Sequence, residues 1–273
     1  MLSKSQYVRG LQCHKSLWLY KHRQDLITKP DAQKKSLFDT GNKVGDLACQ
    51  LFPGGVEIEF DTKNFDGMIS QTRQLIEEGQ TVIYEATFKE NGIFAMADIL
   101  VKNGDGWDVY EVKASTGVKE YHLDDASVQW YALSKVLKLN RIAIVHINNQ
   151  YIRQGELDLH QLFHIQDVTD QVLERQDLLP NAIRDMEAML KGDEPKIEIG
   201  THCDNPHSCD FKEHCWQAVP HPSVFNLYRM NATKKFDLYR RGIVTYQDIP
   251  NDEPLNTIQQ IQVQTAIVQQ PLI

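Results

Sequence analysis

The chain has 273 residues, enough for a substantial core and a small accessory region. Its hydrophobic (41%) and charged (24%) fractions are ordinary for a folded protein, and no apolar run reaches the roughly 18 residues of a membrane span, so no membrane partner is expected. A net charge of −8, from 29 basic and 37 acidic residues, gives by itself no support to nucleic-acid binding, although a local groove can be basic on an acidic protein.

The opening Met-Leu-Ser-Lys-Ser-Gln lacks an apolar signal region, so the expected location is cytoplasmic. Ser3-Lys4-Ser5-Gln6 reads as a capping box opening a helix with Tyr7, Leu11, Leu17, Trp18 and Leu19 as its apolar positions and Cys13 in its middle. Pro30 interrupts, and Asp31 is placed to cap a second helix through about Leu51, with a stripe of Phe38, Val44, Leu47, Ala48 and Leu51 ended by Pro53-Gly54-Gly55. A third helix is predicted near Phe65 to Glu78. Strands follow at Thr81 to Phe88 and in a hairpin after it, then a helix from about Tyr121 to Leu137. Strands at Arg141 to Ile147 and Leu162 to Ile165 precede a long amphipathic helix, Asp167 to Leu190, broken near Pro180. A strand, a crossover helix and a second strand in one sheet form a parallel unit. The fold class is therefore α/β, a mixed central sheet flanked by helices.

The hairpin organises the rest. Met96-Ala-Asp98-Ile-Leu100 and Tyr110-Glu111-Val112-Lys113 flank the turn cluster Asn103-Gly-Asp-Gly106. Either loop choice pairs Asp98 with Glu111, and Lys113 shares the Glu111 face. Phe94, Met96, Leu100, Trp107 and Val109 fall on that face, and Ile93, Ile99, Val101, Tyr110 and Val112 on the other, so both faces look covered. Opposed carboxylates among apolar neighbours need neutralising. An exposed Glu/Lys face would need no partner. A divalent cation, Mg or Mn, suits an all-oxygen set and phosphodiester hydrolysis, with Lys113 aiding the reaction.

The five cysteines are Cys13, Cys49, Cys203, Cys209 and Cys215; the odd count argues against a disulfide framework. Cys49 sits on an apolar helical stripe and reads as core. Cys203, Cys209 and Cys215 lie in a polar, turn-rich loop and leave a four-thiolate site one ligand short, with Cys13 the obvious fourth. A 4Fe–4S cluster and zinc both remain open, the second with help from His202, His207 or His214.

An early lone cysteine, a central D…ExK and a late cysteine triplet together resemble the PD-(D/E)xK superfamily, and within it the iron–sulfur RecB-like exonucleases, including the CRISPR-associated RecB-like nucleases and the AddB nuclease domain. The nearest resemblance is to an uncharacterised bacterial RecB-like family whose chains begin much like Leu2-Ser-Lys-Ser-Gln-Tyr-Val-Arg-Gly-Leu-Gln-Cys13. It spans about residues 2 to 220 and implies a restriction-endonuclease-like fold whose two ends are stapled by the cysteines. It also implies a metal held by Asp98, Glu111 and the Val112 carbonyl, catalysis by Asp98, Glu111, Lys113 and Gln129, and single-stranded DNA as partner. Three departures stand out. The late cysteines are spaced C-x5-C-x5-C rather than C-x2-C-x5-C. Gly45 stands where an early-helix His is expected, leaving Asp46 as substitute ligand or plain helix-surface carboxylate. Gln129 and Tyr131 are two apart and cannot share a helical face. Glu85 either borders the site or faces solvent from a strand edge.

Residues 221–273 change character. Phe236 to Pro250 matches a small helix-turn-helix unit of helix–hairpin–helix type, Asn256 to Val268 an amphipathic helix, and Pro271-Leu272-Ile273 an apolar ending. The second domain of the family is not matched, so a truncated and a naturally short chain both remain open. The functional expectation is a metal-dependent DNA exonuclease with a structural 4Fe–4S cluster. Its rivals are a degenerate nuclease fold that binds nucleic acid or a partner without cutting, and a zinc-stapled scaffold.

Overall fold

The computed structural model describes residues 1–29 and 32–268. The expected cap at Asp31, the interruption at Pro30 and the apolar ending lie outside the described residues. The chain divides into two compact units, Met1–Leu17 with Lys29–Asp193, and Trp18–Thr28 with Glu194–Ile273.

The first unit is a mixed α/β structure around a central sheet. Its strands are β1 (Leu2–Ser3), β2 (Val56–Glu57), β3 (Val82–Glu90), β4 (Ile93–Asn103), β5 (Gly106–Lys113), β6 (Leu139–Ile147) and β7 (Phe163–Asp167). Their order is β2-β3-β4-β5-β6-β7, with β1 beside β4. The β4–β5 hairpin turns on Gly104-Asp105, with Gly104 at φ +59°, where a side chain would be strained. Its register runs from Asn103↔Gly106 to Ile99↔Tyr110, as the sequence predicts. β5 and β6 are parallel through Lys113↔His146, joined by the expected crossover helix.

Helices α1 (Lys4–Gln12), α3 (Ala32–Cys49), α4 (Phe65–Glu77), α5 (Glu120–Leu133), α6 (Leu159–Leu162), α7 (Thr169–Glu174) and α8 (Leu179–Met189) surround the sheet, and α2 (His14–His22) follows α1 in the chain. The Ser3 hydroxyl accepts from Gln6 N, and the Gln6 side chain accepts from Ser3 N, so the capping box is present. Cys13 is not in mid-helix. It is the extended residue (φ −164°, ψ 117°) that ends α1 before α2 begins. α3 stops at Cys49 rather than Leu51 because the N–H groups of Gln50, Leu51 and Phe52 bond to the carbonyls three residues back, and the Tyr84 hydroxyl donates to the Phe52 carbonyl at 2.6 Å just beyond. α5 ends at Leu133, short of Leu137, since the chain must turn to enter β6 at Leu139. The long C-terminal helix is split by a 3-10 turn at Gln176–Leu178; Pro180 stands in the first turn of α8, where a missing N–H costs nothing.

Both sheet faces are covered. Leu100, Trp107, Val109, Ile142 and Ile144 pack with Leu2, Tyr7, Leu123 and Met186. On the opposite face Ile99, Tyr110, Ala143 and Val145 pack with Val44 and Ala48. Ile93 joins the first cluster beside Leu2, together with Ala95 and Ala97, not the Ile99 face that strict alternation assigns them; the change of face falls at Asp98, where the β3–β4 pairing skips Glu85. Cys49 is half-buried against the second cluster, near its expected core place.

The second unit contains α9 (Lys212–Cys215), α10 (Ala232–Arg240) and α11 (Thr257–Val268). Val224, Leu227, Leu238, Ile243, Tyr246 and Val263 form its core. After α10 the chain turns through Gly242 (φ +79°) into a 3-10 turn, Tyr246–Asp248. Among the described residues no helix is long and apolar enough to cross a membrane.

Candidate functional site

The site grows from a split in the sheet. β4 and β5 pair backbone to backbone only as far as Ile99↔Tyr110. One residue further, at Asp98 and Glu111, the ladder opens, and the Asp98 carboxylate accepts from Val112 N–H at 2.6 Å. β3 breaks at the same level: it pairs Tyr84↔Ile99 and Ala86↔Ala97 but skips Glu85, which lies opposite Asp98 with φ +54°. That conformation is uncommon for a residue with a Cβ and re-aims the side chain. Glu85, Asp98 and Glu111 therefore stand abreast on three adjacent strands.

β1 brings in a fourth participant. It pairs with β4 at Ile93 and Phe94, along the edge that β5 leaves open because β3 already holds the other. Lys4 follows directly and its ammonium donates to both oxygens of Glu111, at 2.8 and 2.9 Å. Lys113 donates to Glu111 Oε1 at 2.6 Å and to Asp125 Oδ2 at 2.5 Å. Asp125 lies on α5, and Lys4 Nζ is 3.7 Å from the same Oδ2. The result is an alternating quartet of two lysines and two carboxylates, with Glu111 only 2% exposed.

Four carboxylates, Glu85, Asp98, Glu111 and Asp125, face two ammonium groups, a formal balance of −2. Burial first, and this deficit second, set the titration behaviour. Burial, then Asp98 beside it, pushes Glu111 up to about 7, against the pull of Lys113 and Lys4. Burial and Asp98 push Glu85 up to about 8. Burial opposes ionisation of Asp125, but Lys113 and Lys4 overcome it and hold this carboxyl below its usual range. Burial pulls both lysines down, and the surrounding carboxylates more than reverse it, so both are raised.

The other predicted residues are placed as follows. Gln129 is fully buried, one turn beyond Asp125 on α5. Its amide donates to the Met96 carbonyl at 2.9 Å, and its own Oε1 has no partner among the described residues. It thus braces β4 two residues before Asp98. Asp46 is exposed on α3. Val112 meets Asp98 through its N–H. Among the described residues no group of three or more His, Cys, Asp or Glu side chains is gathered as a metal-holding set. In the second unit Cys203 is buried at the end of a 3-10 turn, Cys209 N donates to the Cys203 carbonyl at 2.8 Å, and Cys215 closes α9. No disulfide is present among the described residues.

Two site residues escape the sequence. Lys4 reads there only as part of a capping box. Asp125 is noticeable only for its spacing from Gln129.

No family model matches the chain, and no curated protein matches it. A solved structure described as the crystal structure of SSO0001 is similar over 65% of this chain and 75% of that one, at 14% identity and a TM-score of 0.29. At that level the likeness carries nothing about the site.

Proposed function

We propose that the first unit is a restriction-endonuclease-like, Mg- or Mn-dependent nuclease of the RecB-like type, acting as an exonuclease on single-stranded DNA ends. The observation that carries this reading is the row Glu85–Asp98–Glu111 abreast on three strands with Lys113 beside it. Its all-oxygen donors and formal charge of −2 fit one hard divalent cation. A buried acidic excess is costly unless a cation compensates it. Asp98 and Glu111 would hold the metal, with the Val112 carbonyl joining on the strength of the resemblance.

Such a metal supplies Lewis acidity and activates water. The chain's own residues supply the rest. Lys113 is fixed by two carboxylates and keeps a third N–H to offer a phosphate oxygen. Gln129 holds β4 in place through Met96. The polar loop bearing Cys203, Cys209 and Cys215, with Cys13 as the fourth thiolate, is proposed to carry a structural 4Fe–4S cluster, zinc being the alternative. Iron, sulfide and zinc content of freshly isolated protein distinguishes the two.

Digestion of labelled single-stranded DNA with Mn²⁺ tests the reading. The intact chain should degrade the strand, a chelator should stop it, and Lys113→Ala should abolish it while leaving iron content unchanged. Undiminished cutting by Lys113→Ala removes that residue's role. A second reading, a nuclease fold that binds without cutting, is favoured by Lys4 sitting on both Glu111 oxygens and by Gly45 in place of the early-helix His. It predicts strand binding with no digestion.

A further inference from the structure

The strangest member of the quartet is Lys4. It occupies the first position of α1, a turn that contains no acidic residue. A cation there works against the helix dipole, which favours negative charge at the N-terminus. Local preference is violated, so the gain must lie elsewhere, and the side chain shows where. Its ammonium spans both oxygens of a carboxylate that is 2% exposed. That is the position a chelated divalent cation would take on Glu111.

Resting on the reading above, we propose that Lys4 is a removable counter-ion. It neutralises Glu111 when no metal is bound and gives the carboxylate up when a divalent cation arrives. Three features suit it to this. First, the exchange needs only a side-chain rotation. The Lys4 backbone is pinned by Leu2↔Ile93, Ser3↔Phe94 and the capping box, while the side chain is a flexible four-carbon stem. Second, a fallback is at hand: Asp125 Oδ2 lies 3.7 Å from the same nitrogen. Third, Lys113 cannot play this part. It is clamped between Glu111 and Asp125 at 2.6 and 2.5 Å, whereas Lys4, among the described residues, makes short contacts to Glu111 alone. Lys4 thus keeps a buried acidic row compatible with folding before the metal is loaded, and sets how much cation is needed to load it.

Calorimetric titration of Mn²⁺ into the full-length wild-type protein, Lys4→Gln and Lys4→Arg tests the proposal without reference to cutting. Lys4→Gln removes the competitor and should bind Mn²⁺ about tenfold or more tightly. Lys4→Arg, whose fork grips a carboxylate at two points, should bind more weakly than wild type. The pair of opposite shifts keeps the test decisive if one variant folds poorly. Mn²⁺ should also raise the Tm of Lys4→Gln more than that of wild type. Equal Mn²⁺ affinity in all three proteins would overturn the counter-ion role and leave the metal site standing. No Mn²⁺ binding in any of them would overturn the role together with the reading it rests on.

Discussion

Asp98 accepts a hydrogen bond from the Val112 amide at 2.6 Å, so a side chain completes a ladder that the two backbones no longer make. The bond ties β4 to β5 where the strands separate, and the opening is what admits Lys4 from the side.

Removing that acceptor should loosen the split. A hydrogen bond to a charged group contributes about 1.5–3 kcal/mol, and relief of acidic crowding offsets part of it. Asp98→Ala should lower the unfolding free energy by about 1–2 kcal/mol in urea melts. Asp98→Asn keeps an acceptor oxygen and should lose less.

Stability should fall as pH rises through neutrality. Glu85 is raised from 4.5 to about 8 and Glu111 from 4.5 to about 7. Between those limits the folded state holds protons that the unfolded chain has released, so stability declines with pH across that window. Glu85→Gln cannot ionise. Its Tm should exceed that of wild type above pH 8, and the gap should close as pH falls toward 4.5. A gap independent of pH would show that Glu85 does not titrate in this way.

A second buried acid depends on one arginine. Asp108 is 2% exposed and accepts from Arg141 Nε at 2.8 Å, while Arg141 also donates to the Tyr110 hydroxyl at 2.5 Å. Arg141→Ala leaves Asp108 with only asparagine and tyrosine donors. It should cost about 2–3 kcal/mol in denaturant unfolding. Adding Asp108→Asn should recover part of that loss, the non-additivity a coupled pair requires.

Gln129 should act through position. Gln129→Ala opens a cavity under β4 and strands the Met96 carbonyl, for a loss of about 2–4 kcal/mol. Gln129→Met keeps the volume and removes the Oε1 that no described residue partners, but it strands the same carbonyl, so its loss should be smaller than alanine's, about 1–2 kcal/mol. Thermal melts of both variants separate filling from hydrogen bonding.

Much of this was legible in the sequence for a physical reason. Turn chemistry at Gly104-Asp105 sets the hairpin register, and the register alone puts Asp98 level with Glu111. Ser3 and Gln6 announce the start of α1 because capping is local. What escaped is non-local. Lys4 reaches Glu111 across 107 positions, through a two-residue strand too short for any periodicity to betray. The φ of +54° at Glu85 leaves no trace in an ordinary strand pattern, Ile-Tyr-Glu-Ala. The break at Cys13 is equally hidden, since α1 and α2 on either side are both helical in pattern.

On the reading proposed above, the acidic row exists to hold a divalent cation. Crystals grown with Mn²⁺ and measured at its absorption edge test this most directly. An anomalous peak should appear in contact with the carboxylates of Asp98 and Glu111, with the Lys4 ammonium withdrawn from Glu111. Saturating Mn²⁺ with no peak there, and Lys4 still on both Glu111 oxygens, would contradict it.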